Sequence, residues 1–318
     1  MRSKWFLLQI SKPVFIRYWK TVSEFYAKMC YIAIQTGGTD MSVSTIMRMG
    51  RRRFSLGLGT TMFLAAGPVS AKSYNQRWAE IKTELFGDRL ISDGFGIIDM
   101  TAPYRAYDAA VVPLTITAMI PQKADRYVSK IYLVIDENPV PIAAIFDFHD
   151  GQNGWATLET RVRVNEYTNV RAIAETNDGK LYMVTKFIKA AGGCSAPAGK
   201  DQALALKRLG KMKLKFASPV KFGQPNVAQI LISHPNNSGL QFDQVTRSYV
   251  TAHYVESIKL TYDGKPILTV TTDISISENP SIHFSFIPKK TGVFKSRVVD
   301  TEDQVFEREW KVTSGGVG

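Results

Sequence analysis

The feature that most constrains the fold is a succession of short segments rich in β-branched and aromatic residues. Six of them occur between residues 110 and 189, and each is bounded by Pro, Gly, Asn or Asp. Segments of this length and spacing are typical of immunoglobulin-like β-sandwiches. The predicted strands of this first sandwich cover residues 110–119, 127–136, 140–149, 156–165, 169–176 and 180–189.

A second group of similar segments follows a connecting stretch and predicts a second sandwich. Asn177–Gly179 in the first group and Asp263–Lys265 in the second are predicted hairpin turns, because Asn-Asp-Gly and Asp-Gly favour tight reversals. The predicted strands of the second group cover residues 227–234, 253–262, 266–273, 281–288, 294–300 and 305–312.

One helix is predicted before the first sandwich. Trp78, Ile81, Leu85 and Phe86 recur at helical spacing, and Gly87 provides the stop. The predicted fold class is therefore mainly all-β, with two immunoglobulin-like β-sandwich domains and a short N-terminal helix before the first. The expected boundaries are residues 72–190 for the first domain, 191–224 for a connecting segment and 225–318 for the second domain.

The first 71 residues have the pattern of an export signal. Arg51–Phe54 is a twin-arginine sequence, residues 56–66 form a short apolar run, and Val69–Ala71 supplies small residues for cleavage before Lys72. The apolar run is shorter than the roughly 20 residues that a membrane span needs. We therefore expect a periplasmic protein without stable membrane insertion, and a true translation start downstream of Met1.

The charge of the chain is concentrated in this removable segment. The whole chain has a formal net charge of +12, but the first 71 residues contain ten basic and two acidic residues. The remaining chain carries a net charge of only +4. A strongly basic domain would indicate nucleic-acid binding, and this distribution argues against a nucleic-acid partner.

The two cysteines of the chain are Cys30 and Cys194, and only Cys194 follows the export signal. Cys194 lies between two glycines and a run of small residues, in the sequence KAAGGCSAPAGK (residues 189–200). Such residues form mobile tethers, so we predict an exposed thiol with Gly192 and Gly193 as its hinge. The alternative is an interdomain loop whose cysteine is incidental.

Other catalytic chemistry is not indicated by the sequence. The four histidines, His149, His234, His253 and His283, lack metal-ligand spacing and are expected at strand ends or on the surface. No phosphate-binding loop, dinucleotide fingerprint or nucleophile elbow is present. We predict no catalytic residue, no metal site and no cofactor other than cargo on Cys194.

The first half resembles SoxY, one of the two proteins of the periplasmic sulfur carrier of thiosulfate oxidation. The resemblance rests on W-x-x-I-K-x-x-L-F-G-D-R (residues 78–89), APYRA (102–106), VVP (111–113) and the Gly-Gly-Cys sequence at the end of the last strand. The second half resembles the partner protein, SoxZ, through LISHP (231–235), SGL (238–240), YDGKP (262–266) and SENP (277–280).

The resemblance implies a sulfur carrier and not an enzyme. It makes Cys194 the covalent attachment site on a swinging arm, Gly192 and Gly193 the hinge, periplasmic redox (haem) and hydrolase enzymes the partners, and intramolecular pairing of the two domains the architecture. In the family the arm ends at a free C-terminus, whereas here Ser195–Pro197 leads on into the second half. Fused carriers of this kind are also associated with quinoprotein dehydrogenases, so the cargo is left open.

Two alternatives to a covalent carrier are compatible with the residues. The first is a non-covalent accessory or docking module for a periplasmic dehydrogenase. The second is a thiol enzyme, which is disfavoured because no resolving cysteine or activating base accompanies Cys194.

Overall fold

The computed structural model describes residues 74–149, 157–197 and 202–317. The predicted export signal and Cys30 lie outside the described residues. Within these ranges no helix is both long enough and apolar enough to span a membrane.

The first half contains one helix and eight strands. In chain order they are α1 (Tyr74–Phe86), β1 (Ile91–Asp93), β2 (Ile98–Thr101), β3 (Val112–Ala118), β4 (Val128–Ile135), β5 (Ile142–Asp147), β6 (Leu158–Val162), β7 (Thr168–Thr176) and β8 (Leu181–Ile188). Buried and less buried positions alternate along β3, as expected for a strand with one face on a core.

The second half begins with a short helix and continues as strands. The elements are α2 (Gln202–Lys207), β9 (Met212–Phe216), β10 (Asn226–Ile232), β11 (Phe242–Asp243), β12 (Ser248–Tyr249), β13 (Val255–Tyr262), β14 (Lys265–Thr272), β15 (Ser281–Phe286), β16 (Gly292–Asp300), β17 (Val305–Thr313) and β18 (Gly316–Val317). In the turn between β13 and β14, Asp263 and Gly264 have φ values of 47° and 76°, as a tight hairpin requires.

Strands from both halves form two shared sheets. The larger has ten strands in the order β1-β8-β7-β4-β5-β14-β13-β16-β17-β18, and the smaller has six in the order β2-β3-β6-β15-β10-β9. The halves meet where β5 pairs with β14 and where β6 pairs with β15, both antiparallel. The mainly all-β fold is confirmed, and the paired halves form continuous sheets in place of two separate pairs of sheets.

One apolar core extends through both halves. Buried residues of β3, β4 and β5 belong to the same cluster as buried residues of β13, β15 and β16. Phe284, Phe286, Phe294 and Trp310 contribute neighbouring aromatic rings, with Phe284 and Phe294 centroids 6.0 Å apart. Because the core is shared, each half buries apolar surface of the other.

Helix α1 packs on the larger sheet through a smaller apolar cluster of its own. Ile81 and Phe86 lie against buried residues of β4, β7 and β8. Beside them, Arg171 stacks 4.3 Å from the Trp78 ring and forms a buried ion pair of 2.8 Å with Asp136. The predicted helix is confirmed, and its apolar face packs in this smaller cluster.

The structure adds elements that the pattern of the sequence did not reveal. The short strands β1 and β2 precede the first predicted strand. Strand β9 lies inside residues 191–224, which were expected to form a connecting segment, and it pairs with β10 at the edge of the smaller sheet. Its exposed Lys213 and Lys215 suit an edge position, because lysines discourage edge-to-edge association.

Candidate functional site

The Gly-Gly-Cys segment (residues 189–197) continues from β8 and lies against the protein surface. Lys189 donates its N–H to Tyr104 O at 2.8 Å, and its own carbonyl accepts the N–H of Ala106 at 3.2 Å. Further along, Gly192 donates to Asn165 O at 2.8 Å and Gly193 donates to Val164 O at 2.9 Å. These bonds extend the path of the strand and hold the segment in place.

The two glycines have different structural roles. Gly192 has a φ of +77°, a left-handed conformation that favours glycine, and only Ser195 Oγ lies within 4 Å of where a Cβ would be. Gly193 has no room for any side chain, because a Cβ would lie 2.1 Å from Ala109 O and 2.6 Å from Val164 O. Gly193 therefore allows a close approach of two backbones, a role that flexibility alone did not suggest.

The thiol of Cys194 is buried. Its exposed fraction is 0%, whereas the neighbouring Ser195 and Pro197 are exposed. The prediction of an exposed thiol on a mobile tether is wrong for this conformation. The small residues that suggested flexibility instead let the segment pass closely over the protein, and that close passage encloses the sulfur.

Residues of the second half complete the enclosure. Ser238 Oγ donates a short hydrogen bond of 2.5 Å to Cys194 O. Asn236, two residues earlier, is fully buried and has a φ of 44°, an uncommon conformation for a residue other than glycine. Backbone conformations of this kind persist where surrounding contacts fix them, and they concentrate at functional sites. Because Ser238 belongs to the second half and binds the Cys194 carbonyl, Cys194 lies where the two halves meet.

A buried arginine supports this junction. Arg163 follows β6 and is 2% exposed. Its Nη1 donates to Gly193 O at 3.3 Å and its Nη2 donates to Asn236 O at 3.2 Å. The guanidinium thus links the carbonyl just before Cys194 to the loop of the second half.

A set of buried amide and hydroxyl groups joins the halves around Arg163. Asn138 Nδ2 donates to Arg163 O and to Ser275 Oγ, each at 2.8 Å. Arg163 N donates to Ser275 O at 2.7 Å, and Ser277 Oγ donates to Ala110 O at 2.7 Å. Satisfied buried networks of this kind fix one relative arrangement of the groups that they join.

The electrostatic environment keeps the thiol protonated. Burial raises the pKa of Cys194 to about 11, while the positive charge of Arg163 opposes the shift and the carboxylate of Asp273 adds to it. Because the thiolate is the reactive form of cysteine, the enclosed sulfur is a poor nucleophile at neutral pH. Chemistry at Cys194 therefore requires the segment to open.

Two histidines that look unrelated in the sequence form a buried cluster in the second half. His234 Nε2 and His253 Nε2 lie 3.4 Å and 2.8 Å from the same atom, Asp300 Oδ2. Both rings are buried, with centroids 4.6 Å apart. His234 and His253 lie next to the ends of β10 and β13, as one of the two predicted positions required, but both are buried, so the alternative of a surface position is wrong for them.

The cluster has the spacing of a metal site, but its hydrogen bonds indicate another role. The nitrogen and oxygen atoms that His234, His253 and Asp300 would offer lie within 4.8 Å of one another. However, Asn236 N–H donates to His234 Nδ1 at 3.0 Å, which places the proton of a neutral ring on Nε2. A protonated nitrogen is not a metal ligand. We therefore interpret the cluster as a hydrogen-bonded support for the loop that holds Ser238.

The acid stability of the protein should depend on His234. Burial, followed by the neighbouring His253, lowers the pKa of His234 to about 4. The unfolded chain binds this proton near pH 6.5, so the contribution of neutral His234 to stability is complete above pH 6.5 and is lost as the pH falls towards 4. His234→Gln keeps a donor for Asp300 and removes the titration. Urea unfolding should show wild type losing roughly 3 kcal/mol more than the variant between these pH values.

Asp273 titrates in the same range with the opposite sign. Burial raises its pKa to about 7, so its contribution to stability grows as the pH falls. Wild type and His234→Gln both contain Asp273. Its contribution therefore cancels when the free energies of unfolding of the two proteins are subtracted. Parallel pH profiles for the two proteins would contradict the assignment.

Three solved structures have limited similarity to the chain. The sulfur carrier protein SoxY from Chlorobium limicola f thiosulfatophilum is 23% identical, over 37% of this chain and 94% of that chain, with a TM-score of 0.30. A superoxide reductase (neelaredoxin) from Ignicoccus hospitalis is 16% identical over 30% of this chain and 82% of that chain, with a TM-score of 0.27. The fibronectin(III)-like modules of Clostridium thermocellum CbhA are 12% identical over 67% of this chain and 92% of that chain, with a TM-score of 0.18.

Two family models match consecutive parts of the chain. Residues 82–194 match sulfur oxidation protein SoxY, and residues 214–311 match sulphur oxidation protein SoxZ. No curated protein matches the chain significantly. The first match ends at Cys194, and the second begins within β9.

Proposed function

Because the chain combines a SoxY domain with a SoxZ domain, we propose that it is a periplasmic carrier that holds thiosulfate-derived sulfur covalently on Cys194. The observation that carries the proposal is the position of Cys194. It is the last residue of the SoxY match and lies directly after the two glycines, at the junction with the SoxZ domain. The sulfur-oxidation role follows from the two domains, and the covalent attachment is the step that we add.

The proposed loading step needs an electron acceptor. In the open segment the thiol has an ordinary pKa, and a few per cent is thiolate at neutral pH. The thiolate of Cys194 forms an S–S bond with the outer sulfur of thiosulfate. The product is Cys194–S–S–SO₃⁻, and two electrons pass to a redox partner such as a haem protein. The enclosed state then protects the cargo from other thiols.

The proposal includes a location in the periplasm and a set of partner enzymes. The twin-arginine pattern at Arg51–Phe54 supports export to the periplasm. Redox and hydrolase enzymes of sulfur oxidation would load and unload the carrier. The fusion of the two domains suggests a variant of this proposal. In that variant the carrier works with a quinoprotein dehydrogenase, and its cargo is not thiosulfate sulfur.

One observation favours a second function, a non-covalent accessory module for a periplasmic dehydrogenase. Cys194 is fully buried and its segment is attached to the protein at both ends. A structural cysteine would have these properties too. In that case the protein would present a surface to its partner and the sulfur would carry nothing.

Intact-mass analysis of protein purified from its native periplasm distinguishes the two functions. A carrier should show a fraction of molecules heavier by one or more sulfur atoms or by a thiosulfonate group, with the mass released by reductant and mapped to the Cys194 peptide. Cys194→Ser, produced in the same cells, should lack the adduct. A thiol that is unmodified in cells actively oxidising sulfur compounds would favour the accessory module.

A further inference from the structure

Arg163 carries a buried positive charge that the described residues do not neutralise directly. Within residues 74–149, 157–197 and 202–317 it is the largest fully buried side chain, and it forms no ion pair there. Two of its nitrogens donate to Gly193 O and Asn236 O, while its Nε is buried without a hydrogen-bond partner. A buried cation balanced only by carbonyl dipoles is costly, and an adjacent anion would reduce that cost.

The group best placed to supply this anion is the substituent on Cys194. Arg163 binds the carbonyl of the residue just before Cys194, and it is close enough to interact electrostatically with an ionised Cys194. Its charge is the main favourable electrostatic influence on an ionised Cys194. Asp108, Glu278 and Asp273 also act on this pair, without forming an ion pair with Arg163. The enclosed neutral thiol leaves the guanidinium without an anion in contact.

We infer that Arg163 is an anion-recognition residue, which makes the enclosed Gly-Gly-Cys segment selective for a negatively charged adduct on Cys194. This inference rests on the proposed function for its biological meaning. The thiosulfonate formed by loading is an anion, and so is the persulfide that remains when water removes its terminal group as sulfate. Unloaded thiol and neutral disulfides lack the charge. Arg163 would thus favour closure of a loaded carrier over closure of an empty or wrongly modified one.

Two alkylating reagents of nearly equal size test this selectivity by charge alone. Iodoacetate converts the Cys194 thiolate to –S–CH₂COO⁻ and iodoacetamide converts it to –S–CH₂CONH₂, each with release of iodide. The full chain with Cys30→Ser is alkylated to completion with each reagent, so that only Cys194 is modified. Thermal midpoints of the two adducts are then compared in wild-type Arg163, Arg163→Lys and Arg163→Met backgrounds.

We expect the carboxymethyl adduct to melt at least about 3 °C above the carbamidomethyl adduct when Arg163 is present. Arg163→Lys, which keeps the positive charge, should retain part of the difference. Arg163→Met, which keeps length and removes charge, should abolish or reverse it. If Arg163→Met does not fold, the comparison within wild type and Arg163→Lys remains decisive.

Equal midpoints in wild type, or a more stable neutral adduct, would overturn the inference. So would a difference that persists unchanged in Arg163→Met. These readouts use synthetic adducts, so they do not depend on whether native protein carries sulfur. A protein without any native adduct but with the charge preference would refute the carrier and leave the anion site established.

Discussion

Native protein is expected to react with iodoacetamide at Cys194 at least about a hundredfold more slowly than the same chain unfolded in urea. Burial raises the pKa of the enclosed thiol from an ordinary value near 9 to about 11, which alone lowers the thiolate fraction by about two orders of magnitude at neutral pH. Steric enclosure lowers the rate further. Peptide mass spectrometry measures Cys194 separately from Cys30, and equal native and unfolded rates would contradict the enclosed conformation.

The urea dependence of this slow reaction separates a carrier from a structural cysteine. A segment that opens locally exposes little surface, so its labelling rate should barely change at low urea. A cysteine that reacts only after global unfolding should label with the full urea dependence of the folding equilibrium. We expect local opening, because residues 191–197 are held by a few hydrogen bonds to the rest of the protein, from Gly192, Gly193, Arg163 and Ser238, and Ser195 and Pro197 are exposed. Purely global opening would favour the accessory module.

The parts of the fold predicted from the sequence are those encoded by local pattern. Alternation of apolar residues along β3 and the Asp263–Gly264 turn each depend on neighbours within a few positions, so they can be recognised without the fold. The pairing of β5 with β14, and of β6 with β15, joins strands that are far apart in the sequence. Composition and periodicity contain no signal for such long-range register.

The sequence draws attention to the Gly-Gly-Cys segment, but it does not reveal the surroundings in which the structure places it. The small residues around Cys194 identify the segment, but its burial depends on carbonyls of Ala109 and Val164 far away in the chain. Arg163 was overlooked because an arginine after a β-strand is ordinarily a surface residue. A buried arginine of this kind can be suspected where a charged residue lies between two buried ones. Arg163 is such a case, because Val162 and Val164 on either side of it are both buried.

Histidine spacing was similarly uninformative. His234 and His253 are separated by a loop and a short hairpin, and Asp300 lies at the end of a distant strand. Their meeting is a consequence of tertiary structure. A metal-ligand spacing rule detects ligands on one helix or one turn, so it neither predicts nor excludes a cluster assembled from separate strands.

The second large effect is expected from Gly193→Ala. A Cβ at this position would lie 2.1 Å from Ala109 O and 2.6 Å from Val164 O. Both are backbone atoms and cannot rotate away, so the segment must leave its place. We expect Cys194 in this variant to alkylate at a rate approaching that of the unfolded chain, because opening restores an ordinary pKa and access to solvent. The free energy of unfolding should fall as the enclosing contacts are lost, which a urea titration measures.

Gly192→Ala is the matched control, because it perturbs the adjacent residue by a different mechanism. The φ of +77° at Gly192 should cost an alanine about 1–2 kcal/mol of conformational free energy. A Cβ at this position would contact only Ser195 Oγ, at 3.8 Å. Gly223→Ala, with a φ of +74° and open space around it, imposes similar strain away from the site. Both controls should lower stability modestly and leave Cys194 protected. If Gly193→Ala labels no faster than Gly192→Ala, close backbone approach at Gly193 does not hold the thiol in place, and the enclosure must depend instead on Arg163 and Ser238.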